Sequence, residues 1–141
     1  MPDRRGGAPS SAFIDTNVIL YLASDDQRKA ERAEGIVRQG GTISVQVLNE
    51  IANAGRRKMR LDWQQLHDFI DAIRRLLRVE SLTVDVHESG MAIAERYGVS
   101  IYDGLIVASA LQAGCTILWS EDMQDRLAIG DLRIANPFRT S

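Results

Sequence analysis

Apolar residues in this chain recur in two rhythms. Short unbroken runs such as Ala12-Phe13-Ile14, Thr42-Ile43 and Thr116 to Trp119 are bounded by polar residues or glycine, as buried strands are. Between them lie longer stretches in which apolar positions return every three or four residues, the mark of helices with one buried face. Residues 11–14 read as the first strand and Thr16 to Ala23 as a short helix. Ser24 with Gln27 has the form of a capping box opening a helix to about Arg38, which Gly40-Gly41 ends. Ser44 caps a helix to about Lys58, with Val47, Leu48, Ile51 and Ala52 on its apolar face. Gln46, Asn49, Glu50, Asn53 and Arg57 fall opposite. Asp62 with Gln65 opens the next helix, whose stripe is Trp63, Leu66, Phe69, Ile70, Ile73, Leu76 and Leu77. The two helices predict an αα-hairpin.

Residues 79–84 alternate, which predicts a strand, and Asp85 with Glu88 predicts a capping box for a helix to Tyr97-Gly98. Ser100 starts a further helix with Asp103 at its third position. The GLIVASALQAG that follows is apolar nearly all round, so this helix belongs in the centre. Leu132-Arg133-Ile134 predicts a last strand before Asn136-Pro137-Phe138. Strands alternating with helices imply an α/β fold, an α/β/α sandwich around a central parallel sheet of four to five short strands. Residues 1–10 (MPDRRGGAPS) read as a flexible tail and residues 11–141 as one domain.

Composition changes this picture little. A single cysteine, Cys115, excludes an intramolecular disulfide and fits a reducing compartment, and no apolar run is long enough to span a membrane. A cytoplasmic protein is expected. Charge distribution says more than the net −2. Residues 56–78 carry seven basic and three acidic groups, whereas residues 79–131 carry two basic and nine acidic ones. That asymmetry allows a basic rim beside an acidic pocket, or simply two solvated faces.

The candidate chemistry is carboxylate. Asp15 sits in apolar sequence at the end of the first strand, where burying an unpaired charge is expensive. Asp122 stands just past the strand TILW. Parallel strands bring both ends to one sheet edge, where sites lie in open α/β sheets. The first turn of the central helix, with Asp103, points at the same edge, and Glu50 lies two turns into its helix. Two carboxylates ~4 Å apart repel by about 4 kcal/mol at an effective dielectric of 20, so four together call for a cation. All-oxygen ligands favour Mg²⁺ or Mn²⁺, and two distant histidines, His67 and His87, with one cysteine disfavour zinc. Each residue also has a plainer reading. Asp15 could cap the next helix, Asp103 could complete a cap with Ser100, Asp122 could be a turn residue and Glu50 merely exposed. Spacing leaves open which of Glu121, Asp122 and Asp125 faces inward.

The segments FIDTNVILY, ISVQVLNE, VSIYDGLIVASALQAGCTILWSEDM and LRIANPF, in that order, resemble PIN-domain ribonucleases, and specifically the VapC-type toxins of toxin–antitoxin modules. The resemblance implies a Mg²⁺- or Mn²⁺-dependent endoribonuclease with Asp15, Glu50, Asp103 and Asp122 as its acidic residues, Asp15 and Asp103 holding the metal. It places Asn17 and Ser120 beside them as supporting or phosphate-contacting groups. It further implies an antitoxin partner, often inserting an arginine into the acidic groove, and a homodimer. Arg56, Arg57, Lys58 and Arg60 are candidate contacts to the RNA backbone, in a hairpin that matches no fixed family motif. A non-catalytic RNA- or partner-binding module on the same fold is the alternative. A haloacid-dehalogenase-like phosphatase is disfavoured because Asn17 stands where its second aspartate is needed, and a catalytic lysine is missing.

Overall fold

The computed structural model describes residues 11–139. The chain order is β1 (Ala12–Ile14), α1 (Thr16–Leu20), a single 3-10 turn (Tyr21–Ala23), α2 (Gln27–Arg38), β2 (Thr42–Ser44), α3 (Val45–Arg57), α4 (Trp63–Leu76), β3 (Arg78–Glu80), α5 (Val84–Tyr97), α6 (Ile101–Gln112), β4 (Ile117–Trp119), β5 (Ala128–Ile129) and β6 (Leu132–Ala135). The strands form one sheet in the order β3-β2-β1-β4-β6-β5. All pairings are parallel except that of β5 with β6. The predicted α/β architecture holds. β5 makes a sixth, antiparallel strand, turning into β6 over Gly130-Asp131, with Gly130 at φ 60° supplying the left-handed backbone the turn requires. The tail assigned to residues 1–10 lies outside the described residues.

Successive strand residues point to opposite faces of a sheet. Phe13 and Ile14, both fully buried, therefore show that the sheet is covered on both sides at β1. Ile43, Leu118 and Ile134 continue the core across neighbouring strands, with Val18, Ile19, Val47, Ile51 and Ile106 packed against them from the helices. α6 is buried without interruption from Gly104 to Ala110, as its all-round apolar sequence predicts.

Local details depart from the sequence reading in four places. The cap of α2 is Asp26, whose carboxylate accepts from the Lys29 N–H, while Ser24 accepts from the Asp26 N–H instead. The strand expected over 79–84 is shorter and starts earlier, and Thr83, still extended, caps α5 by accepting from the Val86 N–H, in place of Asp85. Trp63 and Leu76, assigned to a buried stripe, are 60% and 56% exposed. They occupy the first and last positions of α4, where the helix outruns the core. Gln46, assigned to the polar face of α3, is buried. The box of Asp62 with Gln65 forms as predicted, with both reciprocal bonds present.

α5 and α6 approach so closely that a Cβ on Gly104 would lie 2.3 Å from the Gly90 carbonyl oxygen, a backbone atom that cannot swing away. Gly104 follows Asp103 directly, so this contact also sets where the first turn of α6 presents its carboxylate. Gly104→Ala is expected to lower unfolding stability by about 3 kcal/mol, the upper end of the overpacking range, in chemical denaturation. An unchanged midpoint would contradict the close approach.

Candidate active site

Asp15 is the first residue after β1. Its backbone N–H donates to the Trp119 carbonyl at 2.9 Å, which extends the β1–β4 pairing one step and turns the side chain across the edge of the sheet. The carboxylate is only 4% exposed. Oδ1 accepts from the Thr16 N–H at 2.7 Å, while Oδ2 accepts from the Ser120 hydroxyl at 2.7 Å and from Asn17 Nδ2 at 3.3 Å. Ser120, fully buried at the end of β4, also accepts from the Met123 N–H. It therefore orients Asp15 and has no surface with which to touch a substrate.

Asn17 joins three elements of the edge. Its Nδ2 reaches Asp122 Oδ2 at 3.1 Å as well as Asp15, and its Oδ1 accepts from the Glu121 N–H at 3.1 Å. Among the three acidic candidates after β4, Asp122 is thus the one turned to this centre. Glu121 turns toward α2, accepting from Tyr21 Oη at 2.7 Å and pairing with Lys29. The Lys29 ammonium lies over the Tyr21 and Phe138 rings, 4.8 and 5.2 Å from their centroids. Asp125 accepts from the Asn136 N–H and pairs with Arg139 at 3.3 Å.

Glu50 comes in from α3. Its Oε1 accepts from the Thr16 hydroxyl at 2.5 Å and its Oε2 from Gln46 Nε2 at 2.9 Å. Thr16 and Gln46 hold Glu50 in place, and the sequence reading connected neither to it. The signal for Gln46 was its position one turn before Glu50. Thr16 sat within DTN, but nothing local showed that its hydroxyl would meet a residue 34 positions away. Asp103 is half-buried in the first turn of α6, where its N–H donates to Ser100 Oγ at 3.0 Å.

Electrostatics tie the four carboxylates together. Burial, opposed by the bonds from Ser120 and Thr16 and reinforced by the negative fields of Asp103 and Glu50, pushes Asp15 up to about 7. Asp103 is raised as well, first by burial and then by Glu50 and Asp122. As the side chains stand, no three His, Cys, Asp or Glu groups among the described residues are gathered as a metal-ligand set. The donor chemistry nonetheless fits a hard divalent cation: all-oxygen donors face one sheet edge, and the carboxyls raised by burial and then by one another carry a cost that a cation would relieve. The histidines do not contribute, since His67 and His87 are exposed on α4 and α5.

Arg56, Arg57, Lys58 and Arg60 lie at the far end of α3 and in the loop beyond it, and Arg57 is exposed there. Arg57 is seven residues from Glu50, about 10 Å along the helix axis. Arg56 donates to the Leu61 carbonyl and stacks on the Trp63 ring at 4.4 Å, which explains how that tryptophan remains outside the core.

The family model described as the PIN domain matches residues 12–130. The chain belongs to the PIN-domain family. No curated protein sequence matches it. Among solved structures, this PIN-domain chain resembles a toxin–antitoxin complex from Klebsiella pneumoniae, with a TM-score of 0.70 at 19% identity, covering 92% of this chain and 99% of that one. It resembles the DNA-bound VapBC complex of Salmonella typhimurium at 0.69 and 16%, again over 92% and 99%. A third neighbour is VapC20 of Mycobacterium tuberculosis, a sarcin–ricin loop-cleaving toxin, at 0.62 and 23%, over 79% and 89%. At these identities the likeness is one of fold.

The buried Asp15 makes a pH prediction for this PIN domain. Its folded pKa lies above the unfolded value, so the folded state holds the extra proton between about pH 4 and 7. The stability that Asp15 contributes is then fully present below about pH 4 and is lost as pH rises through about 7. Measured in EDTA, the stability of the wild type relative to Asp15→Asn is expected to fall by on the order of 4 kcal/mol from pH 4 to pH 8. A difference that does not vary with pH would refute the raised carboxyl. Added Mn²⁺ is expected to restore wild-type stability above pH 7, with little effect on the variant.

Proposed function

We propose that this chain is a Mg²⁺- or Mn²⁺-dependent endoribonuclease and the toxin of a toxin–antitoxin pair. The observation that carries the reading is the set of four carboxylates from the end of β1, α3, α6 and the loop after β4, three of them linked by Thr16, Asn17 and Ser120. The family supplies the reaction class, and structural neighbours that are toxins support the biological one.

Asp15 and Asp103 would hold the cation, which when bound supplies charge neutralisation at a phosphate and a more acidic water. The rest falls to the chain itself. Ser120 and the Thr16 N–H keep Asp15 in one orientation, so binding need not order it. Both Glu50 oxygens already accept hydrogen bonds, which suits it to orienting a water. Asp122 is exposed, with one oxygen on Asn17 and the other making no hydrogen bond among the described residues. It is the better placed of the two to accept the proton of an attacking water. In-line attack on the phosphodiester would leave a 5′-phosphate and a 3′-hydroxyl. Asn17 fixes the spacing between Asp15 and Asp122, and its amide cannot serve as the nucleophilic carboxylate of a phosphatase.

A toxin of this kind works on cytoplasmic RNA and is restrained by an antitoxin. The acidic edge suits insertion of an arginine from such a partner. Val84 and Met91, 72% and 47% exposed and two turns apart on α5, offer apolar surface that a second copy of the chain would cover. Co-expression with a small reading frame adjacent to the gene would show whether an antitoxin exists.

The decisive experiment incubates purified protein with mixed cellular RNA in Mg²⁺ and then in EDTA. Cleavage is expected only with metal, and Asp15→Asn and Asp103→Asn are expected to lower it at least ~100-fold while remaining folded by circular dichroism. Cleavage retained in either variant sinks the assignment. No metal-dependent cleavage by the wild type favours the non-catalytic module.

A further inference from the structure

Beside the carboxylates, the ends of β6 and of the chain's described portion enclose an open depression of about 490 Å³, lined by Asp125, Arg126, Arg133, Ala135, Asn136 and Arg139. Three arginines against one aspartate give it a net positive charge in a half of the molecule that is otherwise acidic. Asp125 is the organiser. Its Oδ1 accepts from the Asn136 N–H at 2.8 Å, and its Oδ2 lies 3.3 Å from Arg139 Nε and 4.0 Å from Arg126 Nε. Neither guanidinium donates a hydrogen bond from Nη among the described residues, so those donors remain for a second anion. Arg133, projecting from β6, makes no ion pair among the described residues. Arg126 is further notable for its backbone. At φ 71° it occupies the left-handed region, where a side chain is strained and glycine or asparagine is usual, while its own side chain is 86% exposed. Its packing does not explain an arginine there.

We propose that Arg126, Arg133 and Arg139 form a subsite for a backbone phosphate of RNA flanking the bond to be cut. This rests on the ribonuclease reading above. The depression has the size of a pocket for one nucleotide. Its floor is coupled to the carboxylate centre: Ala135 at the end of β6 accepts from the Ser120 N–H at 3.0 Å, and the Ser120 hydroxyl holds Asp15. β6 is two strand positions from β1, about 10 Å, a short step along an RNA backbone. Three arginines lining one depression offer guanidinium donors that match phosphate oxygens, and a strand crossing the acidic edge needs such an anchor on the side away from the α3–α4 hairpin.

The test reads binding apart from cleavage. A fluorescently labelled single-stranded RNA of about twelve nucleotides is titrated by anisotropy in EDTA from low to moderate salt, against the wild type, Arg133→Gln, the double variant Arg126→Gln/Arg133→Gln, and a charge-matched control, Arg38→Gln/Arg96→Gln. Arg133→Gln is expected to weaken binding about tenfold and the double variant further, with the salt slope falling by about 0.7 for each phosphate no longer neutralised. The control is expected to bind nearly as the wild type does, and thermal melting to stay unchanged in all. Equal affinity and slope in the double variant overturn the subsite, as does an equally weakened control or absence of RNA binding by the wild type. Loss of binding to a polyglutamate peptide with RNA binding intact would reassign the depression to an acidic protein partner. Because no metal is present, these outcomes are independent of whether the protein cleaves RNA. If it does cleave, the double variant is expected to raise KM with kcat nearly constant, whereas a failed ribonuclease reading would show no metal-dependent cleavage in any variant.

Discussion

The hydrogen bonds that converge on the Asp15 carboxylate are the constraint on which the rest of this edge depends. A carboxylate 4% exposed at the end of a buried strand costs several kcal/mol if unpaired. Here it is bonded by a hydroxyl from β4, an amide from α1 and a backbone N–H, and even so its pKa is held up to about 7. Those bonds lower the cost without removing it. What remains is a local strain that no side chain among the described residues neutralises. An unrelieved cost of this kind at one buried residue is what a site prearranged for a ligand of opposite charge carries.

That constraint reaches outward through side chains whose sequence positions look unrelated. Asn17 passes it from Asp15 to Asp122 and to the Glu121 backbone, and Glu121 is fastened to α2 by Lys29 and Tyr21. Thr16 passes it to Glu50 and thence to Gln46 on α3. On the opposite flank the Gly90–Gly104 contact fixes the first turn of α6 and with it Asp103. Three separate packing arrangements therefore deliver one carboxylate each to a fourth. The sheet order, with β1 between β2 and β4, makes this possible by placing all the loops on the same edge.

Much of this was legible in the sequence because the strongest signals are local. Short apolar runs closed by polar residues or glycine located β1 and β4, the brief Thr42-Ile43 and Leu132-Arg133-Ile134 located β2 and β6, and the all-apolar stretch after Asp103 located the central helix. Caps were less legible where several candidates sit side by side. Ser24, Asp25 and Asp26 can all cap a helix, and the choice of Asp26 depends on which N–H the turn leaves free. The same competition let Thr83 displace Asp85. β5 was missed because two residues carry no period, although Gly130-Asp131 was a hairpin signal. In the candidate site, places after strands and in a first turn pointed to Asp15, Asp122 and Asp103, while Glu50, and Asp122 over Glu121 and Asp125, rested on the family resemblance. Their connections could not be read, because Thr16 meets Glu50 and Asn17 meets Asp122 only through the fold.

The basic side of the molecule shows the same division between local and global information. Arg56 to Arg60 form a run, so sequence alone singles them out, yet Arg56 is occupied with the Trp63 ring and the Leu61 carbonyl. Arg126, Arg133 and Arg139 are scattered through the acidic half and form no run, but the β5–β6 turn and Asp125 bring them around one depression. A charge cluster in sequence measures how basic a segment is, whereas a charge cluster in space measures where an anion would rest. Arg139 lies 3.3 Å and Arg126 4.0 Å from Asp125 while Arg133 pairs with none of them, so what the three share is a place around one concave surface, where a single anion can meet all of them. The scattered set lines a concave surface, whereas in the contiguous run Arg56 is already committed to the Trp63 ring and the Leu61 carbonyl.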